Sequence, residues 1–534
     1  MTGPRQQDSK FRERVKSMKR LTSLVAALLI MSLFLAACSG GATPETPPTG
    51  LEEGPKKDTI VERAVADQQT FDPFGTADIN DQRIHYQIFD SLMRQEPDGS
   101  LVPALCTDYK FNETGDEITF TIREGVKFHN GDVMTADDVV FSLNTAIASS
   151  FTSKVTSTMD RAEKVDDKTV KLILKYPFAP ILGCLVSSSC AIVPQKVYEA
   201  DKDAFGRNPV GAGPYMLKEV KPGEKIVLEA FSDYYRGEAP IKNLVVRIIV
   251  DDAAALMALE SGELDLMQPS QAYTDRDAII NNPNLVYYEA EQACTFLVAF
   301  NNVKGVFTDK RLREAVARAI DREELILGAV NGMATPVEAG LVPITPQYPH
   351  GFKGLEYDLE KAKQLVIDAG YPNGLDVTMR VIAAANYTKP AEVLQAQLKK
   401  IGINVKIEPM ERGTWFDVAY AGGDYEMTFY AHAISVNDAD FCSYPFLHSS
   451  EADGKGNNYM GIKNAELDEC LEKARTSQDE AERKAYYLRA CEIIRDESLF
   501  VPCYTGRRTM AAVKELKGVQ ADPWMRYYKY NYSW

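Results

Sequence analysis

Polar and apolar residues alternate along Thr119-Phe120-Thr121-Ile122-Arg123, which sets Phe120 and Ile122 on one face of a predicted strand. Asn130-Gly131 follows as a tight turn, since both residue types tolerate positive φ. Thr135 then reads as a helix N-cap, with Asp137 and Asp138 in the first turn where the helix dipole favours carboxylates. Before this run, Gln82 to Met93 reads as a helix that turns Ile84, Ile88, Phe89 and Leu92 inward. After it, Thr169 to Leu174 alternates as a strand that Tyr176-Pro177-Phe178 breaks. Asp251-Asp252 caps an alanine-rich helix that stops at Gly262, so these carboxylates read as caps and solvated ends.

A helix opening at Thr308 places Leu312, Ala315, Val316, Ala319 and Ile320 at i, i+3, i+4, i+7 and i+8. Asp358 to Gly370 is a capped helix with its glycine just past the end. Glu392 to Lys400 is a further helix, and Ile401 to Val405 leads into a strand. This alternation from Asp358 to Glu408 predicts α/β architecture. Val210 to Tyr215 is glycine-rich but lacks the Lys-Ser/Thr of a phosphate loop, so it reads as a turn feeding a strand at Ile226 to Ala230.

The N-terminal end is different. Seven basic residues stand between Met1 and Arg20 against Asp8 and Glu13, and Leu21 to Ala37 is apolar or small throughout. That order predicts an export signal; an uncleaved anchor helix is the alternative reading. Leu35-Ala36-Ala37-Cys38 resembles a lipobox, which implies cleavage before Cys38 and a lipid on its sulfur. Ser39 to Lys57, rich in Gly, Pro, Thr and Glu, predicts a tether.

The 534 residues exceed what one core holds, so two or three domains are expected. A net charge of −16 disfavours a nucleic-acid partner. The five histidines, His85, His129, His350, His432 and His448, form no catalytic or zinc motif, and no cysteine pair has zinc spacing. Eight cysteines lie beyond Cys38; Cys184 and Cys190 are the nearest candidates for a disulfide, with free buried thiols the alternative.

Arg123, Gly125, Val126, Lys127, Phe128, Asn130, Gly131 and Thr135 to Val139 resemble the signature of the extracellular solute-binding proteins of family 5, the peptide and nickel receptors of ABC importers. Phe71-Asp72-Pro73, Leu101 to Leu105, Gly211 to Tyr215, Arg311 to Arg322 and Tyr357 to Pro372 are similar to further phrases of that family. The resemblance implies an α/β, two-lobed clamshell of the periplasmic-binding-protein kind, type II and cluster C, with an additional domain. Residues 1–37 would be the signal, 38–57 the lipidated tether, and 58–100, 201–295 and 506–534 the first lobe. Residues 101–200 would form the additional domain and 296–505 the second lobe. With no catalytic or zinc motif present, no enzyme, no cofactor and no metal are expected, although the family's nickel branch can take a metal already chelated by a small ligand. The protein would be a lipid-anchored monomer on the extracytoplasmic face that delivers peptides to a permease and its ATPase.

Peptide-binding members carry a loop Trp and, six residues later, an Asp that pairs with the ligand's ammonium group. By resemblance His432 takes the Trp position and Asp438 the acidic one; a surface Asx turn is the competing reading of Asp438. Ala439 departs from the family's proline. Asp440, Tyr430, Trp415 and Phe441 are the remaining ligand candidates. Dipeptide receptors carry an Arg just before the helix that corresponds to Glu392 to Lys400, and Ala383 to Pro390 has none. Rival readings are the same fold binding a nickel chelate, an oligosaccharide or an opine-like compound, a secreted hydrolase, and a signalling receptor.

Overall fold

The computed structural model describes residues 57–269, 273–526 and 528–534. The predicted signal, Cys38 and the tether up to residue 56 lie outside them. Among the described residues no helix is long and apolar enough to cross a membrane.

One long strand, Phe500–Val513, organises the molecule because two half-sheets are built on its two ends. Its C-terminal end pairs antiparallel with Leu285–Glu291 and, through Leu266–Met267, joins the parallel pair Thr59–Ala64 and Asn243–Ile248. Lys225–Ala230 and Tyr215–Lys221 extend that half outward. Its N-terminal end pairs antiparallel with Cys294–Phe300, which leads through Met427–Ala433 to the parallel strands Leu375–Ile382 and Ile403–Met410. The chain therefore crosses between halves twice, at Gln292-Ala293 and at Thr505-Gly506. The crossings are bound together: Gln292 N donates to Gly506 O at 3.0 Å and Thr505 Oγ1 to Gln292 O at 3.0 Å.

A separate four-stranded antiparallel sheet, Cys106–Phe111, Glu117–Ile122, Thr169–Leu174 and Met159–Asp166, has its own core around Phe120, Phe128 and Leu143. Here the sequence reading holds closely. Phe120 and Ile122 are buried, and Gly131 takes φ +88. Thr135 and Asp138 form a reciprocal capping box at the start of helix Ala136–Ala148. Gly211 and Gly213 are turn residues for a steric reason: a Cβ on Gly211 would stand 2.0 Å from the Ile88 carbonyl oxygen.

Three boundaries differ from expectation. The helix expected over Gln82 to Met93 runs Ile79–Ile88, capped by Asp78, and Phe89, in extended backbone, and Leu92 are buried beyond it. The helix after Thr308 is capped by Asp309. The helix expected from Glu392 begins at Ala385 and continues to Lys399 with Pro390 inside it, so the stretch before Pro390 is helical and not a loop. All eight described cysteines are buried free thiols, Cys184 and Cys190 included, so the nearest-neighbour disulfide does not form.

Candidate functional site

A cavity of about 640 Å³ lies where the two half-sheets meet along the crossing strands, within the roughly 300–1,000 Å³ range of small-molecule sites. The first half contributes Arg63 from the end of Thr59–Ala64, and Asn80 and Arg83 from the start of helix Ile79–Ile88. The second contributes Phe296 and the opening residues Ala385, Asn386 and Lys389 of helix Ala385–Lys399. The crossing strands supply Gln292, Tyr504, Gly506 and Arg508.

The wall on the second half is aromatic. Phe296 stacks on Tyr504 at 5.0 Å and lies 6.2 Å from Tyr387, which stacks on Tyr430, itself stacked on Trp415 at 4.6 Å. Such a stack fixes the wall before any ligand arrives.

Charge in the cavity is unequally engaged. Arg63 is a strut: its Nε donates to Ile249 O at 2.8 Å and its Nη2 to Val250 O at 2.8 Å and to Asp252 Oδ1 at 2.7 Å. Arg508, by contrast, has a buried Nε with no hydrogen bond among the described residues. Helix Ala385–Lys399 starts without a side-chain cap or an acidic residue in its first turn, so its orphan N–H groups and positive dipole end are open to an anion. Among the described residues Asp252 is the single carboxylate that lines the cavity.

A smaller cavity of about 180 Å³ lies in the first half among Tyr86, Asp90, Tyr234 and Arg526. Two of its polar groups pair with each other: Tyr234 OH donates to Asp90 Oδ2 at 2.7 Å, and burial pushes the Asp90 carboxyl up to about 6.

The loop after Met427–Ala433 forms a second charged region, in which the side chains pair with one another. Asp438 Oδ1 accepts from Arg483 Nη2 at 2.7 Å and from Asp440 N at 2.9 Å, while Oδ2 accepts from Gln347 Nε2 at 3.3 Å. Asp440 takes a bidentate bond from Arg475, at 3.1 Å from Nε and 2.9 Å from Nη2. Burial pushes the Asp440 carboxyl up, and the Arg475 charge opposes that shift. The loop also reaches out of its own half. Val436 is part of the small sheet's core, Phe441 meets Phe178 edge-on, and Ser435 O accepts from Arg526 Nη2 at 3.2 Å.

Residues 100–454 match the family model described as bacterial extracellular solute-binding proteins, family 5 Middle. The chain belongs to this family. It is 26% identical to the oligopeptide-binding protein AppA of Bacillus subtilis (strain 168), over 97% of this chain and 99% of that one. Its fold is similar to that of DppA from Helicobacter pylori, solved in complex with the peptide STSA, with TM-score 0.73, 28% identity and coverage of 90% and 98%. It is also similar to AgaA from A. tumefacien R10, solved in complex with agropinic acid, with TM-score 0.70, 26% identity and coverage of 88% and 97%. The fold is thus the two-lobed one that the resemblance implied, and the chain is a family 5 substrate-binding protein of an ABC transporter, not an enzyme. Family 5 binding proteins are extracytoplasmic.

None of the six ligand candidates is among the residues that line the larger cavity. Trp415 is fully buried, its Nε1 donating to Arg380 O at 3.3 Å, and it stacks on Tyr430, which stacks in turn on Tyr387. His432 is a core side chain, stacked on Phe446 at 4.0 Å and bonded to Tyr459 OH at 3.2 Å; burial pulls its pKa down to about 3. Asp438, Asp440 and Phe441 are consumed by the contacts just described. The bond from Asp440 N to Asp438 is that of an Asx turn, but a buried one, with Asp438 5% exposed.

Sequence reasoning missed Arg63, Arg83, Lys389 and Arg508. One signal was present: Arg507-Arg508 is a basic doublet inside the otherwise apolar and small strand Phe500–Val513. Alternation sends its two side chains to opposite faces. Arg507 meets Glu291 at 3.6 Å, whereas Arg508 lines the cavity.

Proposed function

We propose that this protein captures short peptides in the cavity between its two halves, closes over them about the crossing strands, and hands them to the permease and ATPase of an ABC importer. The halves would be the lobes 58–100, 201–295 and 506–534 on one side and 296–505 on the other, with 101–200 as the additional domain. The protein would act as a monomer held to the membrane by a lipid on Cys38. The observation that carries this reading is one cavity walled by both halves and floored by the two strands that alone connect their sheets. Two crossing strands allow hinge closure with small backbone changes, and closure follows only if ligand binds the closed form better.

In this reading the pair Asp438 and Arg483 holds the loop rather than the peptide's ammonium group, because the carboxylate already has three donors. A non-peptide acid is the second reading, favoured by the excess of cations in the cavity. Native mass spectrometry of the gently purified protein, with bound species released and fragmented, tests the first against the second. A set of short co-purifying peptides is the expected result. One discrete non-peptide mass would replace peptide by another solute and leave the transport role standing.

A further inference from the structure

The chain carries a net charge of −16, yet among the described residues the cavity is lined by Arg63, Arg83, Lys389 and Arg508 against Asp252 alone. Surface acidity of this kind keeps a protein soluble and says nothing of ligand. A local reversal of sign inside a low-dielectric cleft does, because like charges gathered there without counter-ions cost free energy.

Setting aside Arg63, which pairs with Asp252, and Arg83, which is engaged by a neighbour, leaves two cations, Lys389 and Arg508. Lys389 comes from the second half, and Arg508 from the end of the long strand that pairs with the first. Neither Lys389 nor Arg508 has an ion pair among the described residues. The buried, unbonded Nε of Arg508 and the uncapped start of helix Ala385–Lys399 add donors of the same sense. A single terminal carboxylate would satisfy one of these two cations and leave the other without a counter-charge.

The geometry points to a ligand with at least two anionic groups, a short acidic peptide in the reading above, held by one carboxylate at Arg508 and another at Lys389 and the adjoining helix start. This rests on the proposed capture role. It adds a consequence: the ligand's second charge neutralises cations from opposite halves, so closure depends on ligand charge and not only on ligand shape. A hydrogen bond to a charged group contributes roughly 1.5–3 kcal/mol, or about ten- to a hundredfold in affinity.

The test is titration calorimetry of the purified protein with three probes: a tripeptide with a central glutamate, the same tripeptide with glutamine in its place and its termini free, so that it is neutral overall and carries one carboxylate, and the tricarboxylate citrate. The acidic tripeptide should bind at least about tenfold tighter than the neutral one, and the gap should narrow in Arg508→Gln and in Lys389→Gln. Lys389 is exposed, so the second variant keeps the test open where the first fails to fold. Equal binding of the two peptides would overturn the charge requirement while leaving peptide capture in place. Citrate binding with neither peptide bound would support the charge requirement and remove the peptide. No binding of any probe would overturn the proposal. Because closure is being read as well, small-angle scattering should show compaction with the acidic probe that the neutral probe does not produce.

Discussion

The loop 434–441 and the cavity on the crossing strands are both dense in charge, and they differ in where that charge finds its partners. In the loop each carboxylate meets an arginine of the same half, Asp438 with Arg483 and Asp440 with Arg475. In the cavity Lys389 and Arg508 have no ion pair among the described residues. Paired buried charges hold a shape, because separating them would leave one uncompensated in a low dielectric. Charges without protein partners at a concave surface are held ready for something that is not protein.

The largest expected effect follows on the loop side. Arg483→Ala strands Asp438, whose side chain is 8% exposed, and removes a cation that is 5% exposed. Loss of about 3–5 kcal/mol of folding stability is expected from chemical denaturation. A variant that folds with unchanged stability but fails to bind peptide would erase the contrast and restore Asp438 and its surroundings to the binding site.

A smaller effect tests whether the loop moves. Gly183 belongs to the region of the small sheet, and a Cβ there would come within 2.7 Å of Val436 Cγ1. Overpacking of this sort costs about 1–3 kcal/mol. If the contact exists only when the halves are closed, Gly183→Ala weakens ligand binding and leaves the ligand-free melting temperature nearly unchanged. A lowered melting temperature with unaltered affinity would make the contact a permanent part of the fold.

The same contrast explains what could be read in the sequence. The capping box of Thr135 and Asp138, the strand bearing Phe120 and Ile122, and the turn at Gly131 are local, each fixed by residues within a few positions of one another. The start of helix Ala385–Lys399 was hidden because Pro390 reads as a stop, although it stands within the helix and costs it one backbone bond. That misreading also concealed Lys389. Arg63, Arg83, Lys389 and Arg508 lie far apart in sequence and meet only because two strands cross between the half-sheets, so no spacing announces them. The loop, in turn, looked like a ligand site because a buried carboxylate is needed there under either reading; its partner, Arg483, is 45 residues away.

The last effect is one of pH, and it separates the stability of the cores from the charge of the cavity. Burial pulls His85 and His129 down to about 4 and His432 to about 3, against roughly 6.5 in an unfolded chain. Below pH 6.5 the unfolded chain takes up protons that the folded one refuses, so stability is full above 6.5 and declines as pH falls toward 4. Asp90, raised to about 6, works the other way, since its folded form takes a proton first as pH falls from 6 toward 3.8. Three histidines against that carboxyl give a net loss on the order of 1 kcal/mol per histidine by about pH 5.5, partly offset by Asp90. His432 faces Phe446, Tyr459 and Phe500 and no charged group, so its share is carried by burial alone, and His432→Gln should flatten the decline. Guanidinium groups keep their charge throughout this range, so affinity for a ligand that does not itself titrate should hold steady while the melting temperature falls. Affinity that declined in step with stability would mean that the cavity and the histidine-bearing cores open together, and the two regions would no longer count as separate devices.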